Sequence, residues 1–134
     1  MLGIEPDDQL KEDFQKVERG KLKVVVGLIK GAEASEEKSY GGKNFKYEQF
    51  LEDYKEIKEP RFIWAEFKYT TDKPCFDIVG ILYMPPEAPV NSKPVYASSF
   101  KAINGKLGGS IKKELQVDSW EGLGFDKIVE RLKA

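Results

Sequence analysis

With 134 residues and 15.2 kDa, the chain suits a single domain over residues 1–134 built on one hydrophobic core. Its 22 basic and 23 acidic residues leave a formal charge of −1, which gives no long-range pull towards nucleic acid or an acidic membrane. Histidine is absent and Cys75 is the single cysteine, so zinc, Ser-His and Cys-His chemistry and an internal disulfide are excluded within the chain.

The N-terminus, MLGIEPDDQL, has no basic start and no apolar run, so a signal peptide is not expected. No apolar stretch approaches the roughly 20 residues of a membrane span. A cytoplasmic protein is the expectation. A first helix is predicted from Pro6-Asp7-Asp8, whose acids suit the positive helix end, to Arg19-Gly20, with Leu10, Phe14 and Val17 as its buried stripe. Lys21 to Lys30 is β-branched and apolar on both alternating faces, as in a strand covered on both sides. Gly27 within it marks the expected close approach of a helix backbone.

Residues 31–44, GAEASEEKSYGGKN, have poor strand character. They predict a short or irregular edge strand with Glu36-Glu37-Lys38 simply solvated. Helical spacing returns from Phe45 to Ile57 through Tyr47, Phe50, Leu51 and Tyr54. Arg61 to Tyr69 is an aromatic and apolar strand. Thr70 to Pro74 is turn chemistry leading to the strand Cys75–Tyr83, in which Cys75 reads as a small buried apolar residue.

Residues 84–109, MPPEAPVNSKPVYASSFKAINGKLGG, hold the most informative pattern. Prolines keep the first part extended. Asn91 or Ser92 can cap a helix with Pro94 in its first turn, and Gly108-Gly109 supply the stop near Leu107. Val95, Tyr96, Ser99, Ala102, Ile103 and Leu107 are expected to face the core. Lys93, Ala97, Phe100, Lys101 and Asn104 are expected to face outwards, and an aromatic ringed by cations has the anatomy of a binding hot spot. Ile111 to Val117 offers a last strand, Asp118 or Ser119 a cap, and Phe125 to Leu132 a short amphipathic C-terminal helix.

The run Ala88-Pro89-Val90, Ser92-Lys93 and Val95-Tyr96-Ala97-Ser98-Ser99, followed by an amphipathic helix and a glycine, resembles the actin-depolymerising factor/cofilin family. The resemblance extends over nearly the whole chain. It implies an α/β fold in which one mixed sheet of five or six strands is sandwiched between helices on both faces, and the element order agrees. It further implies a non-catalytic, monomeric protein of the actin cytoskeleton that binds monomeric and filamentous actin. The 92–107 helix would be the main contact, joined by an N-terminal tail in which Leu2, Gly3 and Ile4 take part. Leu2 stands where many members carry a phosphorylated serine.

Departures from the family pattern modify that expectation. Family members usually carry basic residues at Asn91, Phe100 and Asn104, which weakens the expected binding of phosphoinositides and leaves Lys93 and Lys106 as the basic remnant. Severing members carry basic residues at Cys75 and Asp77. Here Lys73 and Lys68 stand nearby, while Glu130 and Arg131 match a charged filament-contacting pair. Weak severing follows. The alternative within the fold resembles glia maturation factor, a binder of the actin-related-protein branching complex. An enzyme built on a Glu66–Asp77 carboxylate pair is the alternative from another class, and it has no phosphate loop or cleft to support it.

Overall fold

The computed structural model describes residues 3–134. Its strands are β1 (Glu5–Pro6), β2 (Val24–Lys30), β3 (Glu33–Tyr40), β4 (Arg61–Thr70), β5 (Pro74–Tyr83) and β6 (Ile111–Val117). Its helices are α1 (Asp8–Glu18), α2 (Tyr47–Asp53), α3 (Lys93–Leu107) and α4 (Phe125–Lys133). The strands form one sheet in the order β1-β3-β2-β4-β5-β6. Pairings are antiparallel except β1 with β3 and β5 with β6. The expected mixed sheet between two helix layers is the observed architecture. No helix of the described residues is long and apolar enough to cross a membrane.

Alternation along the central strands divides the core. Val24, Val26, Ile63, Ala65, Phe67, Val79 and Ile81 pack with Phe50 of α2 and Ile128 and Val129 of α4. Val25, Phe62, Trp64 and Leu82 pack on the opposite face with Leu10, Phe14 and Val17 of α1 and Phe100 and Ile103 of α3. Burial on both faces is what made residues 24–26 an unbroken run of valine. Gly27 answers a different constraint from the one expected. A Cβ there would lie 3.1 Å from the Trp64 ring and 3.2 Å from the Ser35 carbonyl, so the close neighbours are an indole and a strand, not a helix backbone.

The polar stretch 33–40 is the irregular edge strand expected, though not a short one: it runs eight residues, and β1 covers only Glu33 and Ala34. Its register with β2 jumps so that Val26 faces Lys38 and Gly27 faces Glu36, leaving Glu37 as the extra residue of a bulge. A bulge re-aims side chains, and none of the three charged residues is simply solvated. Lys38 bonds Asp53 at 2.6 Å, Glu37 bonds Arg61 at 2.8 Å, and Glu36 neighbours the Asp13 carboxyl of α1 closely enough to share a proton with it. Cys75 is likewise not buried: it is half-exposed at the β4–β5 turn, with Sγ 3.6 Å from the Lys73 carbonyl.

Asp13 lies in the buried stripe of α1, 4% exposed, and accepts from Gln9 at 3.0 Å. The proton it can share with Glu36, then burial and the Asp13 charge, push Glu36 up from 4.5 to about 7. Between those values the folded chain binds more protons than the unfolded one, so stability falls as pH rises through this window. A shift of that size on an enclosed group would be worth about 3 kcal/mol, but Glu36 is partly open to water and the pair is screened. A loss of about 1 kcal/mol between about pH 5 and pH 8 is expected. Urea midpoints at the two values check it, and Glu36→Gln is expected to flatten the difference.

Candidate functional site

α3 is set up by its flanks. Pro89 begins a single 3-10 turn, Val90–Ser92, and Ser92 Oγ donates to the Pro89 carbonyl at 2.6 Å. Pro94 occupies the first turn, where its missing N–H costs nothing. Gly108 closes the helix at φ +122, a conformation that side-chain-bearing residues avoid.

The covered face of α3 holds Tyr96, Ser99, Phe100, Ile103, Asn104 and Leu107. Tyr96 Oη accepts the Ile29 N–H at 2.9 Å, which ties α3 to β2. Phe100, expected outwards, is 8% exposed and stacks on Phe62 at 6.1 Å between centroids with 5° between planes. Asn104, also expected outwards, is 3% exposed. Its Oδ1 accepts the Trp64 indole N–H at 2.8 Å and its Nδ2 donates to Glu114 at 2.8 Å. Val95 and Ala102, expected inwards, are exposed. The outer face is therefore Val95, Ala97, Ser98, Lys101 and Ala102, with Lys93 half-exposed at the helix start. It is small and cationic, and its aromatic has turned inwards.

The N-terminal strand lies against this helix. Glu5 accepts from Lys106 at 2.9 Å, and that hydrogen bond and charge hold Glu5 below the usual carboxylate range. Gly3 is exposed beside it, and Ile4 is half-buried against the α1/α3 side of the core. The tail thus meets α3 at Lys106 near its C-terminal end, while Ala97 and Lys101 are exposed and Lys93 half-exposed along the helix. Leu2 lies outside the described residues.

The second group of candidates is divided. Lys73 is exposed in the β4–β5 turn, and Asp77 is half-buried on β5. Asp77 accepts the Tyr69 hydroxyl, a bond that pushes Tyr69 up to about 12. Glu130 and Arg131 are exposed on α4, and Arg131 donates to the Gln116 carbonyl at 2.7 Å. Among the described residues no hydrogen bond or ion pair joins Lys73 or Asp77 to Glu130 or Arg131. Sequence reasoning missed Phe76, which is 48% exposed with the Lys68 ammonium 5.6 Å from its ring centre. Its place at the outer end of β5, beside a turn, was the available signal. Glu66 and Asp77 do not meet: Glu66 pairs with Ile78 and Phe67 with Asp77, which puts the two carboxylates on opposite faces of the sheet. Glu66 instead bonds Lys23 at 2.7 Å.

A family profile described as cofilin/tropomyosin-type actin-binding protein matches residues 3–133. The chain belongs to this family. Among individual relatives, the cofilin of Cryptococcus neoformans is 28% identical over 144 residues, covering 96% of this chain and 95% of that protein. Actophorin of Acanthamoeba castellanii is 29% identical over 136 residues, with 99% and 97% covered. A solved structure of Streptomyces griseoflavus cofilin superposes with a TM-score of 0.82 at 23% identity, over 96% of each chain. At that identity the likeness supports the fold.

Proposed function

We propose that this actin-binding family member binds actin monomers through the outer face of α3 and the adjoining Gly3–Ile4 tail, and thereby promotes filament depolymerisation. One observation carries the reading. The helix presents a small, cationic outer face beside a tail anchored by β1 pairing with β3 and joined to the helix by the Glu5–Lys106 pair. Small residues let a partner backbone approach closely, while Lys93 and Lys101 supply cations for an acidic rim.

Severing is proposed to be weak, because the hairpin offers Lys73 and Lys68 beside Asp77, whose carboxylate is engaged by Tyr69. Phosphoinositide binding is proposed to be weak as well, since Lys106 already pairs with Glu5. A monomer working at the cytoplasmic actin cytoskeleton fits this reading.

Lys93→Ala combined with Lys101→Ala is expected to weaken actin-monomer binding about tenfold, which corresponds to about 1.4 kcal/mol. The melting temperature should stay put, because both side chains reach solvent. Fluorescence titration of labelled monomeric actin, with a thermal melt of the same preparation, measures both. Unchanged affinity in the double variant would remove α3 as the contact.

A further inference from the structure

α3 is apolar on more than one side. Tyr96, Phe100, Ile103 and Leu107 turn inwards, yet Val95 is 45% exposed and Ala102 is exposed as well. At about 100° per residue, a roll of the helix by about 60° would exchange them. Val95 and Ala102 would then turn to the sheet, and Phe100 and Asn104 to solvent. The exchange trades one aromatic ring for a valine and an alanine, and apolar burial is non-directional. Burial alone therefore discriminates weakly between the two rotations.

Asn104 discriminates sharply. It is 3% exposed and lies between partners on two different strands. Its Oδ1 accepts the indole N–H of Trp64 on β4 at 2.8 Å, and its Nδ2 donates to the Glu114 carboxylate on β6 at 2.8 Å. β5 lies between those strands and offers no side chain at the crossing. A Cβ on Gly80 would stand 3.3 Å from Nδ2 and 3.4 Å from Oδ1, so the amide sits in a recess with both its ends engaged. In the rolled helix the N–H of Trp64, a fully buried ring, would lose its acceptor, and a buried donor left alone is destabilising. Directional bonds in a low-dielectric interior select one arrangement where apolar contacts allow several.

We propose that Asn104 is a positioning residue: its bridge from Trp64 to Glu114 fixes the rotation of α3 about its own axis, and with it which side chains the helix presents. The consequence for actin rests on the function proposed above, since Val95 and Ala102 belong to the outer face only in this rotation. The rotation itself can be measured without actin.

The test reads solvent exposure along α3 in the isotope-labelled full chain, from the relaxation that a soluble gadolinium chelate induces in side-chain protons. In Asn104→Ala the effect at the Val95 and Ala102 methyls is expected to fall about twofold, as for equal occupancy of the two rotations, while that at the Phe100 ring rises. Asn104→Asp combined with Glu114→Gln exchanges donor and acceptor, keeps the bridge and the net charge, and is expected to restore the parental profile. Glu114→Ala cuts only the outer bond, from an exposed residue, so it folds even where Asn104→Ala does not. It is expected to move the same signals in the same direction. Actin-monomer affinity should fall about twofold in Asn104→Ala, with the fraction of competent helix, and recover in the exchanged pair. A parental profile in Asn104→Ala, or in Glu114→Ala where the first variant does not fold, overturns the proposal, as does an unrestored profile in the exchanged pair. A chain that binds no actin but shows these profile changes would remove the function proposed above and support the positioning role.

Discussion

Phe100→Ala is expected to lower the unfolding free energy by about 3–5 kcal/mol, the usual cost of deleting a buried aromatic ring. The ring is enclosed by Phe62, to which it is nearly parallel, and by Gly80, where a Cβ would lie 3.5 Å from Phe100 Cζ. Gly80 is thus the recess that admits the ring, and truncation leaves a hole the sheet backbone cannot fill. With total stabilities of about 5–15 kcal/mol for such domains, the loss would move the urea midpoint far. Actin affinity of the molecules that remain folded should change little, because the side chain is 8% exposed. The opposite result, lost affinity at an unchanged midpoint, would mean that Phe100 acts as a surface anchor.

The inward turn of Phe100 was legible in the periodicity. A helix advances about 100° per residue, so Phe100 sits about 40° from Tyr96, and Ile103 about 20° on the other side. Phe100 therefore falls within about 20° of the stripe that Tyr96, Ile103 and Leu107 define, while Val95 and Ala102 lie more than about 90° away. The neighbouring Lys101 argued for an outer face and argued wrongly. Asn104 is different, since its angle places it at the margin. What buries it is the indole N–H of Trp64, a donor that a buried strand must satisfy. Helical spacing carries no sign of that partner, although a tryptophan in an apolar strand announces that one is needed.

The order of elements and the helices on both faces followed from patterns that act locally: valines buried on two sides, capping residues, prolines and glycines at helix ends. β3 was not legible in that way. Its residues EASEEKSY are poor strand formers, and their full length as a strand comes from backbone pairing with β2 and from charge partners far away in sequence. Asp53, Arg61 and Asp13 become neighbours only once the sheet exists. A run of charged residues reads as solvated until its partners are assembled.

Among these partners the Glu37–Arg61 pair should carry the largest energy. Arg61 is buried, its side chain 8% exposed, and it donates to Glu37 through Nε at 2.8 Å and Nη2 at 3.1 Å. Nη1 donates to the Pro60 carbonyl at 2.9 Å, and Tyr54 adds its hydroxyl to Glu37 at 3.0 Å. Glu37→Ala removes the only close carboxylate among the described residues, leaving an enclosed guanidinium with one carbonyl and the distant, exposed Glu59 at 3.9 Å. A loss of about 3–5 kcal/mol is expected, the cost of stranding a buried charge. The pair replaced together, Glu37→Leu with Arg61→Met, is expected to be more stable than Glu37→Ala alone, since no charge is then stranded. Acid should narrow the gap between parent and Glu37→Ala. Burial works to raise Glu37, but the Arg61 hydrogen bond and charge, with Tyr54, outweigh it and hold Glu37 below 4.5. Its stabilisation is therefore present above about pH 4.5 and fades as pH falls through the lowered value. Urea unfolding of parent, single and double variants at neutral and acidic pH measures all of this. A single variant as stable as the parent, or a double variant less stable than the single, would show that the bulge holds its place without the pair.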